Sequence, residues 1–92
     1  MEKPLNDLSI LTNYQNRQVI LNYYQDEDLL YKRDGFYFHT IKVTEIAIIF
    51  TKEDGPDFTI NRKDYPHAYI NTDFPNYFIL KNNTDVLQIY FP

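Results

Sequence analysis

Hydrophobic and polar positions alternate cleanly over residues 17–25, with Val19, Leu21 and Tyr23 on one side and Ile20, Asn22 and Tyr24 on the other. Period two predicts a strand there, bounded by Asn16-Arg17 before it and by the polar run Gln25-Asp26-Glu27-Asp28 after it. Leu29-Leu30-Tyr31 then runs into Lys32-Arg33-Asp34-Gly35. An Asp-Gly pair between β-rich flanks is a strong hairpin signal, so strands around 29–33 and 36–42 are expected to pair across it. Lys52-Glu53-Asp54-Gly55-Pro56 repeats that turn at an offset of twenty residues, matching Lys32, Asp34, Gly35 and Phe38 with Lys52, Asp54, Gly55 and Phe58. A solenoid needs about three units to close a core, so two copies read as reused turn chemistry. Each glycine is expected to hold a positive φ.

Between the two turns, Phe36 to Thr51 contains no Gly, Pro, Asn or Asp. A straight strand of that length would span about 53 Å, too long for a chain of this size. The pattern therefore predicts a bend at Lys42–Glu45, with Phe36, Phe38 and Thr40 on one face before it and Ile46, Ile48 and Phe50 on the apolar face after it. Phe58-Thr59-Ile60 reads as a further strand, ending near Asn61-Arg62-Lys63-Asp64. Residues 65–76 carry Pro66 and Pro75 and read as turns or an edge strand, since proline has no N–H for a central ladder. Tyr77–Lys81 and Val86–Phe91 form the last predicted pair, joined by Asn82-Asn83-Thr84-Asp85. The last strand is the most aggregation-prone window and is expected inside the sheet or covered. At the other end, Leu5, Leu8, Leu11 and Tyr14 recur at spacings of three behind Pro4, which fits one short helix or an extended arm.

Composition agrees with this pattern. Ten Ile, seven Thr and sixteen aromatic residues favour strands, whereas alanine occurs only at Ala47 and Ala68. The expected fold is one mainly β domain over residues 1–92, a small antiparallel barrel or two-layer sandwich of about six strands. Part of the bias toward Ile, Asn, Tyr, Phe and Asp is what an AT-rich coding sequence produces, a hint of a bacterial or phage source. A chain of 92 residues buries roughly 65% of its unfolded surface, which gives a core but leaves little room for a deep cleft.

Charge and residue chemistry narrow the function. No apolar run is long enough to span a bilayer, and Met1-Glu2-Lys3-Pro4 does not read as the start of a signal peptide, so a cytoplasmic protein is expected. No cysteine is present, which excludes disulfides, thiolate metal sites and a cysteine nucleophile. Asn82-Asn83-Thr84 fits a glycosylation acceptor but is expected to be idle without secretion. Asp64 and His67 form the sole His–carboxylate spacing near a metal pattern, and that spacing is common by chance, so no metal or other cofactor is expected. Ser9, the one serine, has no spaced partner that would make it a nucleophile, and two separated glycines build no phosphate loop.

A net charge of −4, with Lys32-Arg33 and Arg62-Lys63 each beside an acid, disfavours nucleic acid and favours basic partners. Nine tyrosines exceed what a small core holds, so some are expected at the surface as contact residues. The expected contact is the acidic connection Asp26, Glu27 and Asp28 with the flanking Tyr24 and Tyr31. The reading is a non-enzymatic acidic binding protein that inhibits or regulates a protein partner with a basic face, of the kind mobile elements encode. A β-barrel that holds a nucleotide or other small molecule, or a single-stranded nucleic acid, is the alternative.

Overall fold

The structure, a computed structural model, describes residues 1–26 and 28–92. Among them are nine strands: β1 (Glu2–Pro4), β2 (Arg17–Gln25), β3 (Leu29–Phe38), β4 (Thr40–Val43), β5 (Ala47–Thr51), β6 (Phe58–Asn61), β7 (His67–Asn71), β8 (Tyr77–Lys81) and β9 (Asp85–Tyr90). Every pairing is antiparallel. Six strands form one sheet in the order β1-β7-β8-β9-β2-β3, and β4-β5-β6 form the other. The domain is mainly β, as the residue pattern implies.

The alternation along β2 sets the geometry of the large sheet. Val19 and Leu21 are fully buried and join Phe38, Phe78, Leu80, Leu87 and Ile89 of the same sheet in one core with Ile41, Ile48, Phe50 and Ile60 of the small sheet. Two layers thus share a single apolar interior. Phe50 anchors it, meeting Phe36, Phe38 and Phe58 in edge-on contacts with centroids 5.6, 5.3 and 6.3 Å away. Such pairs add roughly 0.5–1.5 kcal/mol each beyond the area they bury. The aggregation-prone β9 lies between β8 and β2, with both edges paired.

The N-terminal segment resolves into β1 and a 3-10 helix over Leu8–Asn13. Three residues per turn stack positions i and i+3 in line, which is why leucines at spacings of three put Leu8 and Leu11 into the core and Leu5 against it. The Asp7 side chain caps this helix by accepting a hydrogen bond from the Ser9 N–H at 2.9 Å.

Three expectations need correction. Asp34-Gly35 is not a turn: β3 runs through it, and Gly35 stands opposite Ile20 of β2 with no positive φ. The hairpin that β3 closes is the one after Gln25, and Asp26 takes the left-handed conformation there with φ 56°. Secondly, Phe36–Thr51 does not bend as one strand. The chain leaves the large sheet at His39 and reverses after Val43, so that Thr40 pairs with Thr51 in a β4–β5 hairpin. Thr44 supplies the chemistry of that reversal, its Oγ1 accepting from the N–H groups of Ile46 and Ala47. Thirdly, residues 67–71 form an internal strand between β1 and β8, since Pro66 falls just before it and costs the ladder nothing.

Candidate functional site

Three turns meet at one end of the large sheet. The β2–β3 connection lies against the β8–β9 connection: Gln25 pairs with Asp85, and the Asp26 N–H donates to the Thr84 carbonyl at 2.7 Å. The β8–β9 connection is in turn tied to the short 3-10 helix over Arg62–Asp64, because the Asn82 amide donates to the Asp64 carbonyl at 2.9 Å. Asp26, Asp28, Asp64 and Asp85 therefore gather around this end from three separate stretches of sequence. Glu27 lies outside the described residues.

A group of tyrosines lies beside Asp64 and Asp85 at this end. A register shift between Tyr23 and Tyr24 leaves Tyr31 as an extra residue on β3, a β-bulge. The Tyr31 ring comes to 6.3 Å from that of Tyr23, on the side of the sheet facing the small layer. Tyr65, just after the Arg62–Asp64 turn, joins them. Burial, then the neighbouring Tyr65, Asp34 and Tyr31, push the Tyr23 hydroxyl up to about 12. The Tyr65 hydroxyl is raised by burial first and then by Tyr31, Asp85 and Asp64. Both hydroxyls are thus neutral at physiological pH, Tyr23 with Asp34 as its charged acidic neighbour and Tyr65 with Asp64 and Asp85. The ammonium of Lys32 already lies over the Tyr23 ring, 5.0 Å from its centroid, a cation–π contact.

Of the residues expected to form the contact, Asp26, Asp28 and Tyr31 lie at this end. Tyr24 does not join Tyr31. It points to the outer face of the large sheet, opposite Val86 and Leu30. The bulge is the reason: in an unbroken register Tyr31 would stand opposite Tyr24, and the extra residue brings Leu30 there instead. Tyr24 there shares the outer face with Tyr77 and Tyr90, whose rings are 5.9 Å apart. Tyr23 flanks the acids in sequence as Tyr31 does, but Tyr65, Asp64 and Asp85 were not legible as members of one site. Only the shared turn contacts bring them together, and no local pattern announces those.

A half-open cavity of about 420 Å³ adjoins Tyr65 and is lined by Leu5, Asn6, Ile46, Arg62, Lys63 and Pro66, among others. Its one guanidinium, Arg62, is committed to the Thr44 carbonyl. Among the described residues no group of three His, Asp or Glu side chains is placed to hold a metal ion, and no helix is long and apolar enough to cross a membrane. Asp64 and His67 accordingly do not form a metal site with a third ligand among those residues. Comparison of the chain with protein-family models, with curated proteins and with solved structures finds no match.

Proposed function

We propose that this chain is a non-enzymatic binding module acting in the cytoplasm, where it masks or regulates a partner protein by engaging that partner's basic face. The observation that carries this reading is the convergence of Tyr23, Tyr31 and Tyr65 with Asp26, Asp28, Asp34, Asp64 and Asp85 at one end of the sheet. Rings supply contact area at low entropic cost, and the acids steer a cationic partner to them. A lysine or arginine from the partner finds there an electron-rich ring face and carboxylates together, as Lys32 of this chain does on Tyr23.

The test is an amide-shift titration of the labelled protein with an octa-arginine peptide, and with an octa-glutamate peptide as control. Shifts are expected at Tyr23, Asp26, Asp28, Tyr31, Tyr65 and Asp85, weakening with salt. Equal shifts at the remote acids Glu53, Asp54 and Asp57 would reduce the effect to general charge and overturn the reading. The cavity beside Tyr65 supports a second reading, a small-molecule site, because its volume falls within the ordinary range for ligand pockets. A thermal-shift screen with nucleotides separates the two: a ligand at 100 times its Kd stabilises by about 2.7 kcal/mol.

A further inference from the structure

The longest free edge of the large sheet is β3. The opposite edge, β1, has three residues, whereas β3 has ten and pairs on one side only, with β2, among the described residues. Edges of this length are normally shortened or covered, because their unpaired N–H and C=O groups recruit other strands. This edge is also apolar at both ends. Of the seven large hydrophobic residues exposed among the described residues, Leu29 (59%), Leu30 (44%), Tyr31 (56%) and Tyr37 (65%) all belong to β3.

The charges in the middle of β3 narrow what fits. Lys32 and Asp34 share the inner face, opposite Tyr23 and Leu21, and Arg33 lies between them on the outer face. Directly opposed residues of an antiparallel pair must belong to the same alternation class, so a strand that pairs with its own copy can place its two-fold axis only at a residue position. With the axis at Arg33, Lys32 of each copy faces Asp34 of the other, twice. An axis at Lys32 or at Asp34 instead opposes like charges on the crowded inner face.

The bulge at Tyr31 completes the match. Beyond Lys32 it carries Leu30 to the outer face, opposite the empty Cβ position of Gly35, and Leu29 to the inner face, opposite Phe36. The two Arg33 side chains meet at the axis on the outer, solvent-facing side, where they can splay apart. A neutral strand would offer Lys32 and Asp34 no opposite charge, so the charges that guard this edge against other strands select a second copy.

We infer that β3 is a self-association edge, through which two copies of this chain join antiparallel about Arg33 into one continuous sheet of twelve strands. The two-fold reverses direction along β3, so the two turn ends that carry Asp26, Asp28, Asp64 and Asp85 sit on opposite sides of the axis, each about 17 Å from it along the strand, while Asp34 and Tyr31 fall within the paired edge itself.

Sedimentation of the intact chain from about 10 μM to about 1 mM covers the range expected of a small strand-to-strand interface. It should approach twice the 11.1 kDa chain mass. Lys32→Asp and Asp34→Lys should each weaken association at least about tenfold, since each opposes like charges twice. Mixing those two variants should restore a dimer, which misfolded chains would not do. Arg33→Cys, in a chain without cysteine, should oxidise to a disulfide-linked dimer, because opposed Cα atoms about 4.5–5.5 Å apart suit that bond, whereas Tyr37→Cys should not. A wild-type chain that stays monomeric at the highest concentration overturns the inference, as does a dimer indifferent to both charge reversals. Neither result bears on binding at the acidic end, which is read by the peptide titration.

Discussion

The ring of Tyr14 lies flat against that of Phe91, with 4.0 Å between centroids and 7° between planes. This contact ties the end of the N-terminal 3-10 helix to the residue after β9, and a second link reinforces it. The Tyr14 hydroxyl donates to Asn76 Oδ1 at 2.9 Å, while the Phe91 N–H donates to the Asn76 carbonyl at 3.0 Å. Asn76 holds a left-handed φ of 60° to serve both. The two termini and the β7–β8 connection are therefore fastened at one point.

Removing the ring of Phe91 should be among the most damaging single changes. The side chain is fully buried between Tyr14, Phe38 and Phe78, so Phe91→Ala is expected to cost about 3–5 kcal/mol. That is a large part of the ~5–15 kcal/mol that holds a domain of this kind folded. Tyr14→Phe keeps the stack and loses only the hydrogen bond, about 0.5–1.5 kcal/mol. Urea unfolding midpoints at constant m-value distinguish the two; equal losses would mean that the hydroxyl, and not the ring, makes the contact.

The two glycines should respond in opposite directions. Gly55 sits at φ 135°, where an L side chain is strained even though a Cβ would meet nothing within 4 Å. Gly55→Ala is expected to destabilise by more than about 1 kcal/mol. At Gly35 the backbone is ordinary strand, and a Cβ would make normal contacts with the Val19 carbonyl at 3.8 Å and Gln18 Nε2 at 3.9 Å. Gly35→Ala is therefore expected to stabilise by about 0.5–1 kcal/mol, through a smaller entropy loss on folding. Thermal unfolding of both variants at a concentration where the chain is monomeric decides it, and a loss at Gly35 would show that β3 is strained there.

That contrast also shows what the residues make legible. Alternation placed β2, β8 and β9, because strands with one face on a core need period two. Leucines at spacings of three fit a helix or an extended arm equally well, and the structure resolves them as a 3-10 helix with Leu8 and Leu11 in the core. The two Asp-Gly pairs look identical in sequence, yet only Gly55 has the conformation they suggest. Asp34-Gly35 is overridden because β2 offers β3 an unbroken partner from Arg17 onward, so continuing the ladder gains more hydrogen bonds than turning. The acidic end was half legible. Asp26, Asp28 and Tyr31 share one stretch of chain, but the bulge that separates Tyr24 from Tyr31 depends on the register with β2. Tyr65, Asp64 and Asp85 arrive by contacts distant in sequence.

Alkaline pH should loosen the fold through Tyr23. Its folded-state value, about 12, lies above the ordinary tyrosine value of about 10, so the folded protein holds that proton more tightly than the unfolded chain does. The resulting stability is fully present below pH 10 and is lost as pH rises toward 12. Tyr65, Tyr14 and Tyr77 are raised in the same direction, chiefly by burial, and steepen the decline. Ultraviolet titration of tyrosinate should show a late phase that coincides with unfolding. Tyr23→Phe should reduce the late phase and flatten the loss of melting temperature over this window. A titration in which all nine tyrosines ionise together near pH 10 would show that Tyr23 is not held as described.

Asn82 tests whether turn geometry or charge governs the acidic end. Its Oδ1 accepts from the N–H groups of Thr84 and Asp85, at 2.8 and 2.6 Å, and its amide nitrogen reaches the Asp64 carbonyl at 2.9 Å. Asn82→Ala removes the acceptor and the tether together and is expected to cost about 1–2 kcal/mol, with faster amide exchange at Thr84 and Asp85. Asn82→Asp retains the acceptor, loses only the tether to Asp64, and adds a carboxylate beside those already there. If charge steers cationic partners, Asn82→Asp should bind the octa-arginine peptide more tightly than the wild type at low salt, and Asn82→Ala more weakly. Should both variants bind equally weakly, the tether that positions Asp64 and Tyr65 is what the site requires, and added charge does not compensate for its loss.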